Sequence, residues 1–285
     1  MNTTTLDQAY AECEALARRH YENFPVGSWL LPRAMRRPVT VIYAFARKAD
    51  DLADEGDLQT AERLAGLQCL QDMLDGIAAG TPQSDWLGMA LADTVSRYDL
   101  PLDPFRDLLD AFRQDVTKRR YETFGEVMGY CRRSANPVGR LLLQLRNVTD
   151  VRSFAYSDAI CSALQLINFY QDLHQDYVEN GRIYIPLDEM EAHGVSTEHF
   201  RDRRTDPAMQ RLMQFQYRRA RHLLHSGAPL ASRLGGRFGF ELRLILLGGE
   251  RVLQHLMGDT QDLFARPRLG PVDGLWMFWR ALRGG

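Results

Sequence analysis

Two stretches of the chain set acidic residues at helical spacing. In YAFARKADDLADEGD, Tyr43, Arg47, Asp50 and Asp54 recur at steps of four and three, so they share one line along a helix. In ICSALQLINFYQDLHQDY, Gln165, Asn168, Asp172 and Asp176 do the same. Carboxylates one helical turn apart lie about 6 Å from each other along the axis, and each raises the other's pKa. One such pair is ordinary on a solvated face. Two pairs, each with an Arg or Asn on the same line and an aromatic-rich apolar line beside it, point to a divalent cation that removes the repulsion. Donors that are all oxygen favour Mg²⁺, which takes one or two carboxylates and completes its octahedron with water and phosphate oxygens. That chemistry implies a phosphorylated substrate. No GxxxxGK[ST] or GxGxxG cradle is present to hold the phosphate. Arginine forks are the alternative, and Arg47, Arg132, Arg133, Arg140 and Arg182 lie within or beside the informative segments.

The two acidic lines are far apart in the chain, so they reach one substrate only where a bundle sets their helices side by side. Apolar residues do recur at three and four spacings through most of the sequence, and alternating strand-like runs are nearly absent. The expected helices are Leu6 to Glu22, Pro38 to Glu55, Thr60 to Ile77, Trp86 to Tyr98, Pro104 to Thr117, Glu126 to Arg146, Phe154 to Val178, Pro207 to Leu234 and Glu241 to Met257, with a short one near Leu275. Gly56, Gly80 and Gly181 stand where helices should stop. Asn23 to Arg37, interrupted by Pro25, Gly27 and Pro32, resists a helical reading, and GRIYIP (181–186) reads as an extended exit. No linker or repeat divides the 285 residues, so we expect one all-α domain.

Composition excludes several function classes. With 45% hydrophobic residues the chain can bury a sizeable core, and a net charge of −2 supplies no basic field for nucleic acid. No stretch approaches the roughly 20 apolar residues of a membrane span, and MNTTTLDQAYAECEAL lacks a signal-peptide pattern, so we expect a cytoplasmic protein. Cys13, Cys69, Cys131 and Cys161 show no metal or disulfide spacing and are expected to be buried thiols.

The Asp-rich helix, YCRRSANPVGR, and the later NFYQDLHQD followed by GRIYIP together resemble the squalene/phytoene synthase family of head-to-head isoprenoid synthases. The resemblance runs from His20 to about Met190. It implies an all-α isoprenoid synthase bundle with a central apolar tunnel and a Mg²⁺ cluster gripping the substrate diphosphate. Carried over by position, Asp50, Asp54, Asn168, Asp172 and Asp176 match metal ligands, with Asp51 on the neighbouring face ranked below them. His20 and Arg47 match diphosphate contacts; Tyr43, Tyr130, Gln165 and Tyr184 match polar positions around the cation that ionisation leaves, and Arg182 is taken as a further substrate-binding residue.

Within that family, NFPVGSWLLP, YAFARKADDLADEGD and SANPVGR look most like the branch of bacterial hopanoid gene clusters that ionises presqualene diphosphate and captures the cation with water. That branch needs no NADPH. Gln171 ahead of Asp172, Asn136-Pro137, Asn23 and Pro25 depart from the carotenoid-type pattern. The alternatives are a phytoene, dehydrosqualene or presqualene diphosphate synthase, and a non-catalytic assembly factor on the same fold. Retention of all five metal positions argues against the last. His174 and Gln175 are weighed as water-positioning residues, against an exposed pair. Trp276, Phe278 and Trp279 beside Arg280 and Arg283 are expected to pack on the bundle, with peripheral membrane contact as the alternative. Association with neighbouring pathway enzymes would suit a lipophilic product.

Overall fold

The computed structural model describes residues 5–19, 31–258 and 262–283. Among the described residues no strand occurs. In chain order the helices are α1 (Leu6–Arg19), α2 (Arg33–Asp54), α3 (Thr60–Ala78), α4 (Trp86–Tyr98), α5 (Asp103–Thr117), α6 (Phe124–Ser134), α7 (Asn136–Gln144) and α8 (Val151–Gln171). They continue with α9 (Leu173–Asn180), α10 (Leu187–His193), α11 (Thr197–Arg201), α12 (Pro207–Gly227), α13 (Pro229–Leu234), α14 (Gly236–Gly258) and α15 (Pro271–Arg283). His20, Asn23 and Pro25 lie outside the described residues.

The chain forms two compact units, one of Met1–Thr117 with Pro137–Asp150, the other of Lys118–Asn136 with Val151–Gly285. In the first unit α2 packs against α1, α3, α4 and α5. Its buried line is Val39, Ile42, Phe45, Ala49 and Ala53, with the Phe45 ring edge-on to Phe105 at 5.2 Å. Pro38 sits inside α2 and lacks the N–H that would bond the carbonyl of Ala34. The hydroxyl of Tyr98 donates to that carbonyl instead, at 3.0 Å. Pro38 is therefore tolerated within the helix, and α2 begins at Arg33, earlier than the expected Pro38.

In the second unit α8 packs against α6, α12, α13 and α14. A Cβ on Gly227 of α12 would fall 2.6 Å from the Tyr156 carbonyl oxygen, so glycine is what permits α12 to approach α8 there. Arg219 of α12 donates to Glu189 of α10 through two nitrogens, at 2.6 and 2.8 Å, and its guanidinium lies 3.3 Å from the Phe124 ring centroid. Burial pushes the Glu189 carboxyl up, but hydrogen bonds from Arg219 and Gln216 hold it below its usual range.

Several expected long helices are broken. The run from Glu126 to Arg146 divides at Ala135, because Pro137 has no N–H and restricts Asn136 before it. Phe154 to Val178 divides at Asp172, whose φ of −104° and ψ of 16° lie in the sparsely populated bridge region. Pro207 to Leu234 divides ahead of Pro229. The extended reading of GRIYIP holds, since Ile183 N donates to Arg119 O and Leu187 N to Tyr121 O, at 3.1 and 2.9 Å. Cys13 and Cys131 are buried thiols, whereas Cys69 is exposed and Cys161 half-buried, which corrects the expectation for those two.

Candidate active site

The first acidic line rides about the last three turns of α2, just outside the buried line, so Tyr43, Arg47, Asp50, Asp51 and Asp54 are all half-buried. The end of the helix is held from α3. Arg63 donates to the carbonyls of Leu52, Glu55 and Gly56 at 3.2, 3.0 and 2.7 Å, placing a cation at the negative end of the helix dipole. Gly56 at φ 70° turns the chain away. Arg47 sits among the acids, 2.6 Å from Asp51 and 3.3 Å from Asp50, and also pairs with Glu55. Burial, then repulsion from Asp54, pushes the Asp50 carboxyl up to about 6.

The second line straddles the break between α8 and α9. Asn168 donates from Nδ2 to Asp172 Oδ2 at 3.1 Å, and the backbone ladder survives the break, with Asp172 N on Asn168 O at 3.0 Å and Asp176 N on Asp172 O at 2.8 Å. Asp172 is buried, and burial raises its carboxyl although Arg266 and Asn168 oppose the rise. Arg266 comes from the non-helical segment before α15, and its Nε lies 2.7 Å from Asp172 Oδ1. The same segment is tied down by Gln171, which donates to the Pro267 carbonyl at 3.1 Å. His174 lies edge-on to Phe264, and Gln175 is exposed.

Beside this line stands a cluster of four buried rings. Phe169 of α8 stacks on Tyr184 at 3.7 Å, Tyr121 lies 5.5 Å from Tyr184, and Tyr130 of α6 lies between 5.6 and 5.9 Å from the other three. Arg182, buried, has its Nη1 3.5 Å from the Tyr184 hydroxyl, and its backbone N donates to Asp176 O at 3.0 Å. Arg120 donates to the Gly181 carbonyl and so fixes the start of this extended segment.

A sequence profile described as squalene/phytoene synthase matches residues 17–273. The chain belongs to that family. Among squalene/phytoene synthase relatives, a hydroxysqualene synthase of Rhodopseudomonas palustris is 37% identical over 88% of this chain and 85% of its own length. One from Sinorhizobium fredii is 34% identical over 90% and 86%. A 15-cis-phytoene synthase of Synechococcus elongatus is 32% identical over 98% and 91%. The crystal structure of a squalene synthase from Alicyclobacillus acidocaldarius superposes with a TM-score of 0.83 at 35% identity, covering 90% of this chain and 96% of that one. The protein is thus an enzyme, a synthase with the all-α isoprenoid synthase fold.

Set against this family pattern, α2 brings Tyr43, Arg47, Asp50 and Asp54 onto one half-buried edge. In the second unit Asn168 and Asp172 touch, and Arg182 and Tyr184 adjoin, while Gln165 is half-buried on α8. Tyr130 contacts the ring cluster. Among the described residues no three His, Cys, Asp or Glu side chains gather as a ready-made metal cage. The donor chemistry still fits Mg²⁺: all the candidate ligands are oxygens, and burial together with repulsion from Asp54 raises the Asp50 carboxyl, a conflict that a divalent cation would relieve. Sequence reasoning missed Arg63, Arg266, Tyr121 and Phe169. Phe169, inside NFYQD, was within reach of it; Arg266 was not, because its segment has no periodicity to reveal which way the side chain turns.

Proposed function

We propose that the protein converts presqualene diphosphate and water into hydroxysqualene and diphosphate, in squalene and hopanoid biosynthesis. What supports this reading is the likeness to two hydroxysqualene synthases across 88–90% of the chain. Asp50 and Asp54 on one line, and Asn168, Asp172 and Asp176 on the other, are the residues that would hold Mg²⁺. When bound, that ion supplies charge neutralisation to the leaving diphosphate. Arg47, Arg182 and His20 bind and orient the diphosphate, so that guanidinium and imidazole hydrogen bonds strengthen as negative charge gathers on its oxygens.

In the reaction the C–O bond to diphosphate breaks with its electron pair leaving on oxygen, and the cyclopropane opens to place the positive charge at the carbon that water attacks. A C–O bond to water forms and one proton is released. No electron pair is required from a reductant, so NADPH has no place in the balance. Tyr43, Tyr130, Gln165 and Tyr184 serve the cationic stage, where aromatic faces and oxygen lone pairs attract positive charge. We place the enzyme in the cytoplasm, among the enzymes that supply its diphosphate and consume its alcohol.

A second reading is supported by the 32% identity to a phytoene synthase over 98% of the chain, and would have the protein join two prenyl diphosphates itself. The deciding experiment incubates purified protein with Mg²⁺ and presqualene diphosphate in ¹⁸O-labelled water without NADPH, with farnesyl and geranylgeranyl diphosphate in parallel. A labelled triterpene alcohol from presqualene diphosphate is the expected product. An unlabelled hydrocarbon from the prenyl diphosphates alone would replace the first reading with the second.

A further inference from the structure

A helix on the outside of a globular protein normally turns its apolar line inward and its charges outward. The C-terminal helix α15 reverses this. Its inner side lies on α14, where Asp273 is 7% exposed, accepts from Arg251 Nε at 2.6 Å and from Gly270 N at 2.8 Å, and Ala281 is buried. Its outer side carries Val272, Leu275, Trp279 and Leu282, a line at three and four spacings, of which Leu275 is 64% and Trp279 58% exposed. Phe278 is exposed beside them while its edge meets Phe240 at 6.0 Å.

The charge arrangement narrows what this face suits. The only acid of α15, Asp273, is turned inward and paired. The outward charges are cationic: Arg280, exposed with its guanidinium 5.2 Å from the Trp276 ring centroid, and Arg268 just before the helix. Nearby acids are engaged, Glu250 by Arg221 at 2.6 Å and Asp262 by Arg203 at 2.7 Å. An apolar, aromatic line edged by arginines and without an outward carboxylate is the composition of a helix that lies in the headgroup region of an anionic bilayer. A second copy of the chain would bring Arg280 and Arg268 toward a like-charged face.

We infer that the outer face of α15 is a membrane-surface site, seating Leu275, Trp279 and Leu282 at the acyl boundary and Arg280 among anionic lipid headgroups. No helix among the described residues is long and apolar enough to cross a membrane, so this contact lies in the surface plane. It does not depend on which reaction the enzyme performs.

The test is co-sedimentation of the full chain with phosphatidylcholine vesicles, with and without phosphatidylglycerol, combined with quenching of tryptophan fluorescence by brominated lipid. Wild type is expected to bind the mixed vesicles and to be quenched. Leu275→Ser with Trp279→Ser should lower partitioning at least about tenfold, and Arg280→Gln about fivefold on the anionic vesicles only. Trp279→Phe should keep binding and lose most of the quenching. These side chains are solvent-facing, and circular dichroism checks that each variant is folded. No binding by wild type, or equal binding by the double variant, overturns the inference. Wild type that is dimeric and becomes monomeric in the double variant would assign the face to a second copy instead.

Discussion

Replacing Asp50 by Asn should stabilise the protein while removing its turnover. Asp50 lies one turn from Asp54 and beside Asp51, and its carboxyl is raised from 3.8 to about 6. The folded state therefore binds the Asp50 proton more tightly than the unfolded chain does. Stability from this group is greatest at low pH and is lost as pH rises from about 4 through 6. The full rise corresponds to about 3 kcal/mol. With 42% of the side chain exposed, solvent screening reduces the usable part to about 1 kcal/mol. In a chain of this size that is a gain of about 2 °C in melting temperature for Asp50→Asn at pH 7.5. The assay is thermal unfolding in EDTA across pH 4 to 8, where the gain should shrink to nothing at the acid end. With Mg²⁺ and diphosphate added, wild type should rise in melting temperature more than the variant, and the variant's turnover should fall at least about a hundredfold. A variant no more stable than wild type at pH 7.5 would refute the crowding argument, and wild-type turnover would refute the metal role.

Arg266→Gln frees Asp172 from a part-exposed ion pair worth about 1 kcal/mol, so Mn²⁺ titrated alone and followed by electron paramagnetic resonance should bind about fivefold more tightly. Weaker binding would mean that Arg266 does not compete with the metal. Arg219→Ala leaves the half-buried Glu189 with Gln216 as its remaining side-chain donor and should cost about 1 to 3 kcal/mol in urea unfolding, with Arg219→Met plus Glu189→Gln recovering most of it. Gly227→Ala places a methyl against the Tyr156 carbonyl and should cost about 1 to 3 kcal/mol, read as a lower melting temperature with unchanged helical content at 25 °C.

Where local chemistry decides an element, the sequence was a sufficient guide. The expected Trp86 to Tyr98 matches α4, because Asp85 caps its start by accepting from Leu87 N and Gly88 N, and Asp99 ends it in a left-handed turn. Thr60 to Ile77 differs from α3 by one residue. The Asp50–Asp54 line was legible for the same reason, since spacing alone puts it beside the buried line of α2. The break at Asp172 was not legible: the i to i−4 bonds continue on both sides of it, so the apolar period runs through undisturbed. Pro137 was visible, but the leucines after it restore helical spacing and hide the interruption. Short helices such as α10 and α11 carry too few residues to show a period. Contacts made by single long side chains across the fold, Arg63 on the end of α2 and Arg266 on Asp172, leave no local trace at all.

The path of the chain through the two units bears on how the protein is made. Residues up to Thr117 belong to one unit, 118–136 to the other, Pro137–Asp150 return to the first, and everything after belongs again to the second. A nascent chain emerging from the ribosome cannot complete the first unit when α5 is out, because the buried Leu141, Leu142, Leu143 and Leu145 have yet to be synthesised. At about 5 to 20 residues per second, α1 to α5 wait a few seconds with part of their apolar complement missing. The second unit has already begun by then. The two therefore mature in an interleaved order, and no single cut in the backbone yields one intact half.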